Sequence, residues 1–181
     1  LNVFTPLQIM QMRFLVAYAV LWCMYPRTEK TTAGDNLGMF FMSLFADTTY
    51  FLCENNALRY TLASNVSILV ASAPIWTAVL AHFFTKGNRL RRNTVYGSLI
   101  ALAGVALVVF NGTVVLKFNP LGDMLSIAAA IFWALYSVMM TRYVHWFSSF
   151  FLMRRMTFFA ILTTLPIALF TGELDMPLYE L

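Results

Sequence analysis

Charge is the scarcest property of this chain. Of 181 residues, 11% are Asp, Glu, Lys or Arg and 60% are hydrophobic, with a mean hydropathy of +0.72. Soluble domains carry about 25% charged residues, so a water-soluble globule is excluded, and a disordered tail with it. Cysteine is nearly absent. Cys23 and Cys53 lie inside apolar runs that the loop pattern below places near opposite membrane faces, so both are expected as unbridged packing residues. His82 and His145 sit near run ends without partners at metal-ligand spacing. There is no Walker loop, no metalloprotease helix and no serine-nucleophile motif. No catalytic residue, cofactor or metal is therefore expected, and nothing argues for an enzyme. The chain starts at Leu1, without the basic start and small-residue cleavage site of a signal peptide, so a fragment of a longer chain is expected.

What the sequence has instead is long apolar runs. A membrane span needs roughly 20 apolar residues, and six stretches qualify: 6–25, 37–55, 61–84, 94–110, 121–140 and 150–170. A short turn is expected around 58–60. The 17 Phe, 11 Met and 4 Trp suit lipid-facing and interhelical surface. Gly, Pro and Asn punctuate the runs, and each run is too long for a core strand. The expected fold is all-α, a polytopic transmembrane helical bundle of about six spans.

The net charge of +4 follows membrane topology and is no nucleic-acid footprint. One alternating set of loops holds Arg27, Lys30, Lys86, Arg89, Arg91, Arg92 and Arg142, with Arg154 and Arg155 just inside the next span. The other holds Arg59 and Lys117 with the acidic tail of Glu173, Asp175 and Glu180. The first set is expected in the cytoplasm, which puts both ends of the chain outside. The basic run 86–92 reads as a topology signal and a contact for anionic headgroups. The sequon at Asn111 has meaning only in a eukaryotic host. A faint repeat lays 6–14 on 148–156, aligning Met12-Arg13 with Met153-Arg154. The two segments cross in opposite senses, as in inverted-repeat transporters.

Small residues recur at helical spacing: Ala63, Ser67 and Ala71; Gly97 and Ala101; Ser126, Ala130 and Ala134. Such ridges let backbones approach in lipid, where packing replaces the hydrophobic drive. Pro74 falls within the third span and predicts a helix kink, either a hinge or cavity element or a purely structural bend. In the second span, Ser43, Asp47, Tyr50 and Glu54 follow steps of four, three and four and are expected on one helical face. Asp47 falls near the bilayer midplane and Glu54 near the outer end. Intramembrane carboxylates face a bundle interior or a water-filled path. Against this stands an interfacial, solvated Glu54 paired with Arg13 or Arg59.

The stretch "NNALRYTLASNVSILVASAPIWTAVLAHFF" resembles the EamA family of the drug/metabolite transporter superfamily. The resemblance is carried by Ala57-Leu58, Ala63-Ser64, Pro74 with Thr77, Ala78 and Ala81, then Gly97 and Gly104, Gly122-Asp123 and Trp133-Ala134. It implies two inverted five-helix repeats. On that plan residues 1–118 are the first repeat lacking its first helix, and 119–181 open the second. It also implies alternating-access secondary transport of small metabolites, such as export of amino acids, related metabolites or drugs, through a central cavity. Asp47, Glu54, Tyr50, Ser43, Trp133 and Tyr136 are the candidate substrate or proton pathway, with aromatic walls suited to cation–π contact. The expected partners are a small-molecule metabolite and the lipid bilayer, with no nucleic acid. A homodimer is the assembly considered, and the bacterial inner membrane the expected location. The competing reading is a non-transporting membrane scaffold or assembly partner.

Overall fold

The computed structural model describes residues 5–84, 92–110 and 119–170. The basic run 86–92 apart from Arg92, the sequon at Asn111 and the acidic tail lie outside the described residues. Among the described residues there are helices and no strands.

The helices are α1 (Pro6–Met24), α2 (Ala33–Ser43), a π turn (Leu44–Thr49), α3 (Tyr50–Tyr60), α4 (Ala63–Val70), α5 (Ala73–Phe84), α6 (Arg92–Phe110), α7 (Pro120–Tyr143) and α8 (Ser149–Phe170). Their starts are written in the sequence. Thr5 and Gln8 form a capping box on α1, with Pro6 in its first turn. Thr32 and Asp35 do the same for α2. Two bonds from Thr32, first its hydroxyl and then its N–H, hold the exposed Asp35 carboxyl below the ordinary range.

Four stretches are long and apolar enough to cross a membrane: Leu7–Met24, Ala63–Phe84, Pro120–Tyr143 and Ser149–Phe170. Tyr96–Leu107 is apolar but shorter. Three expectations need correction. The expected turn at 58–60 is the last turn of α3, and the chain leaves the helix only at Thr61. The second stretch is not one α-helix: it divides into α2, the π turn and α3, of 11, 6 and 11 residues, and so is not among those four. Pro74 does not bend a continuous helix. The chain breaks at Ala71 and Ser72, and Pro74 takes the second position of α5, where its missing N–H costs nothing. Ser72 stabilises the break, donating its hydroxyl to the Leu69 carbonyl and accepting the Trp76 indole N–H at 3.1 Å.

The chain divides into two compact units, one of residues 1–48 and 142–181, the other of 49–141. In the first, α8 packs on α1 and on α2. Tyr25 meets Phe150, Tyr18 meets Phe158 and Gln11 meets Thr164, so α1 and α8 run antiparallel. Phe40 against Phe159 and Thr48 against Thr163 put α2 and α8 parallel. Met39, Met42, Phe151 and Leu152 are fully buried at this contact. Lipid is as apolar as these side chains, so close packing and interhelical hydrogen bonds hold the helices together. Gly38 is a close approach: a Cβ there would collide with the Tyr143 hydroxyl.

In the second unit α6 packs on α4 and α5, and α3 on α4. Ser126, Ala130 and Ala134 are fully buried, as a small-residue ridge should be. The other two ridges do not behave so. Ala63, Ser67, Gly97 and Ala101 are exposed, and a Cβ on Gly97 would meet nothing within 4 Å. The start of α7 is built around one loop. Asn119 caps it by accepting the N–H groups of Leu121 and Gly122. Asp123 accepts the Asn119 N–H at 3.2 Å and the Thr61 hydroxyl at 3.3 Å, tying α7 to the turn after α3.

Candidate functional site

Four of the six residues singled out from sequence meet in the second unit. The Tyr50 hydroxyl donates to Glu54 Oε1 at 3.1 Å. The Tyr50 ring lies 5.2 Å from that of Trp133, and Trp133 lies 5.3 Å from Tyr136. The geometry has a simple origin. Tyr50 and Glu54 are one helical turn apart on α3, and Trp133 and Tyr136 are neighbours on one face of α7. The contacts Thr61–Gly122 and Tyr50–Trp133 run in opposite order along the two helices, so the segments are antiparallel. The result is an aromatic wall with a carboxylate at its edge. Trp133 is 40% exposed, and Tyr50, Glu54 and Tyr136 are half-buried. Such a wall can stack against a planar group or attract an organic cation.

The other two residues belong to the first unit. Ser43 is fully buried and donates to the Met156 carbonyl of α8 at 2.8 Å. Asp47 is half-buried within the π turn. By residue count Asp47 is the midpoint of the helical stretch formed by α2, the π turn and α3. The single α-helical face expected for Ser43, Asp47, Tyr50 and Glu54 does not hold. Steps of four and three map a face only at about 3.6 residues per turn, and the six residues Leu44–Thr49 are π-helical. Asp47-Thr48-Thr49 carries side chains that compete for backbone hydrogen bonds, the one sequence signal of this turn.

Sequence reasoning missed several polar groups around α8. The Thr48 and Thr163 hydroxyls lie 2.6 Å apart. Gln11 donates from Nε2 to the buried Thr164 hydroxyl at 2.8 Å. Pro166 stands inside α8, where it leaves the Leu162 carbonyl without its helical donor. Arg154, read as a topology signal, is buried and turned onto the end of α1. Its place in the second turn of a span was the available clue. Arg13, its partner in the faint repeat, is exposed, so the two positions differ in surroundings. Cys23 is exposed and Cys53 half-buried, both as free thiols. Among the described residues no His, Cys, Asp and Glu group is arranged to hold a metal ion.

The EamA-like transporter family matches residues 1–110. A protein of Archaeoglobus fulgidus, described as an uncharacterized transporter, is 31% identical over 144 residues, covering 74% of this chain and 48% of its own. The uncharacterized transporter YetK of Bacillus subtilis is 27% identical over 169 residues, covering 90% and 51%. This chain thus spans about half the length of the relatives it matches. One crystal structure, of a protein 18% identical, superposes with a TM-score of 0.75 over 92% of this chain and 59% of its own, which is a likeness of fold.

Proposed function

The chain belongs to the EamA-like transporter family and is multi-pass in the membrane, and from that premise we propose that the whole protein is a secondary transporter of a small metabolite. The observation that carries this reading is the Tyr50–Glu54–Trp133–Tyr136 cluster. On the repeat assignment, α3 belongs to the first repeat and α7 to the second, and transporters of this construction hold substrate at the repeat interface near midplane. The match to residues 1–110 supports a first repeat that ends near 118. Asp47, midway along its helical stretch and in the first unit, is a separate candidate for proton coupling. Archaeal and bacterial relatives support a plasma-membrane location.

Alternating access follows by rocking one helix group against another around this site. The test is uptake by the full-length protein in proteoliposomes, screened against amino acids and related metabolites under an imposed pH gradient. Trp133→Ala should raise the substrate KM, and Asp47→Asn or Glu54→Gln should lose substrate-driven proton flux. Unchanged proton flux in both carboxylate variants refutes the coupling role. Absence of uptake of any metabolite returns the protein to the scaffold reading.

A further inference from the structure

Arg154 is 3% exposed and carries a full charge that its hydrogen bonds do not neutralise. Nη1 donates to the carbonyl of Tyr25, which caps the end of α1, and Nη2 to the carbonyl of Arg27 in the segment after it. The guanidinium carbon lies 4.2 Å from the centre of the Trp22 ring. These partners are dipoles and a π face, not anions. Among the described residues no carboxylate comes within ion-pair distance of Arg154. A buried cation ordinarily has a counter-charge.

The surroundings show what would supply it. Arg154 and the half-buried Arg155 line one cavity of about 130 Å³ with Tyr18, Trp22, Thr28 and Glu29. That is room for a few water-sized groups. Glu29 is engaged elsewhere. Both its carboxylate oxygens accept the Ser148 N–H at the start of α8, and Tyr25 donates its hydroxyl to Oε1 at 3.4 Å. Two guanidinium groups against one carboxylate leave the cavity with one net positive charge. The level is that of the α1 C-terminus and the α8 N-terminus, which the loop charges assign to the cytoplasmic face. Trp22 and Phe158 at the rim are 40% and 39% exposed, continuing into the apolar outer surface of α1 and α8.

We propose that this cavity seats a phosphate-type oxyanion, either the phosphodiester of an anionic phospholipid or free phosphate, held by Arg154 and Arg155 with the Thr28 hydroxyl as a further donor. The planar guanidinium fork suits phosphate oxygens, and the aromatic rim suits an acyl chain leaving the headgroup. The binding reading does not depend on transport.

The experiment uses the full-length protein in a neutral detergent. Thermal unfolding is followed after addition of phosphatidylglycerol, of phosphatidylcholine with the same chains, or of inorganic phosphate at matched ionic strength. Phosphatidylglycerol should raise Tm by several degrees more than phosphatidylcholine, and native mass spectrometry should show it retained. Arg155→Gln should abolish the difference. Arg155 makes no hydrogen bond or ion pair among the described residues, so this variant is expected to fold. Stabilisation by phosphatidylglycerol but not phosphate assigns the lipid headgroup, and equal stabilisation by phosphate assigns the free anion. Equal Tm with all three additions, or a difference fully kept in Arg155→Gln, overturns the proposal.

Discussion

Replacing Gly122 by alanine sets two known effects against each other. Helix propensity favours the change by at most about 0.5–1 kcal/mol. The space does not. A Cβ on Gly122 would lie 2.8 Å from Thr61 Cβ, 2.9 Å from its Cγ2 and 3.1 Å from its main-chain nitrogen. Non-bonded carbons sit at about 3.5–4.0 Å, so the start of α7 would have to retreat by nearly an ångström. Thr61 Cβ and N are fixed to the main chain and cannot swing aside. Overpacking of this kind costs about 1–3 kcal/mol. The retreat also lengthens the Thr61–Asp123 hydrogen bond, already 3.3 Å, which contributes about 0.5–1.5 kcal/mol. The expected net loss is about 1–3 kcal/mol. It is measured on full-length protein with exposed Cys23 changed to serine, by following the reactivity of half-buried Cys53 during unfolding. Gly122→Ser should lose at least as much. A Gly122→Ala protein as stable as its parent, or more so, would refute the close-packed turn, since propensity alone predicts that sign.

Two further outcomes follow from geometry. Gln11→Leu and Thr164→Val should show a coupling of about 0.6 kcal/mol, and at most about 1.7, in a double-mutant cycle of detergent unfolding. The value is small because Thr164 also donates to the Ala160 carbonyl at 2.6 Å and keeps that bond when Gln11 is lost. For Asp35, Thr32 lowers the folded carboxyl's pKa, so the cap contributes fully above the ordinary carboxyl value near pH 4 and is lost as pH falls through the lower folded value. Amide exchange at residues 33–36 should therefore speed up only in strong acid, and Asp35→Asn should remove that pH dependence.

The helices were legible because the solvent is uniform. In lipid a span must satisfy its own backbone, so apolar length and charged breaks fix where helices lie. Pro6, Pro120 and Ser149 all open helices within a residue of where the apolar runs begin. Tyr50, Glu54, Trp133 and Tyr136 stand out as candidates for a related reason, since polar and amphipathic side chains are rare inside spans. What escaped was set by partners distant in sequence. Whether Ala63 or Ala130 packs against another helix depends on which face meets a neighbour, and spacing is the same for both. The π turn broke the face assigned to Asp47 because a wheel assumes the repeat it is used to detect. Arg154 looked like a loop charge until its acceptors, the carbonyls of Tyr25 and Arg27, were placed beside it.

The mutual capping of α1 and α8 has a consequence for biosynthesis. Tyr25 and Arg154 are 129 residues apart, as Glu29 and Ser148 are 119 apart. At about 5–20 residues per second, a ribosome takes roughly 6–26 s to make the first of these intervals. For that time the end of α1 lacks the cation that closes it, and Glu29 lacks the helix start it caps. α1 and α2 therefore wait in the membrane, after insertion, with their mutual partner still unmade. A nascent chain arrested before α8 should be the species that quality-control proteases remove first.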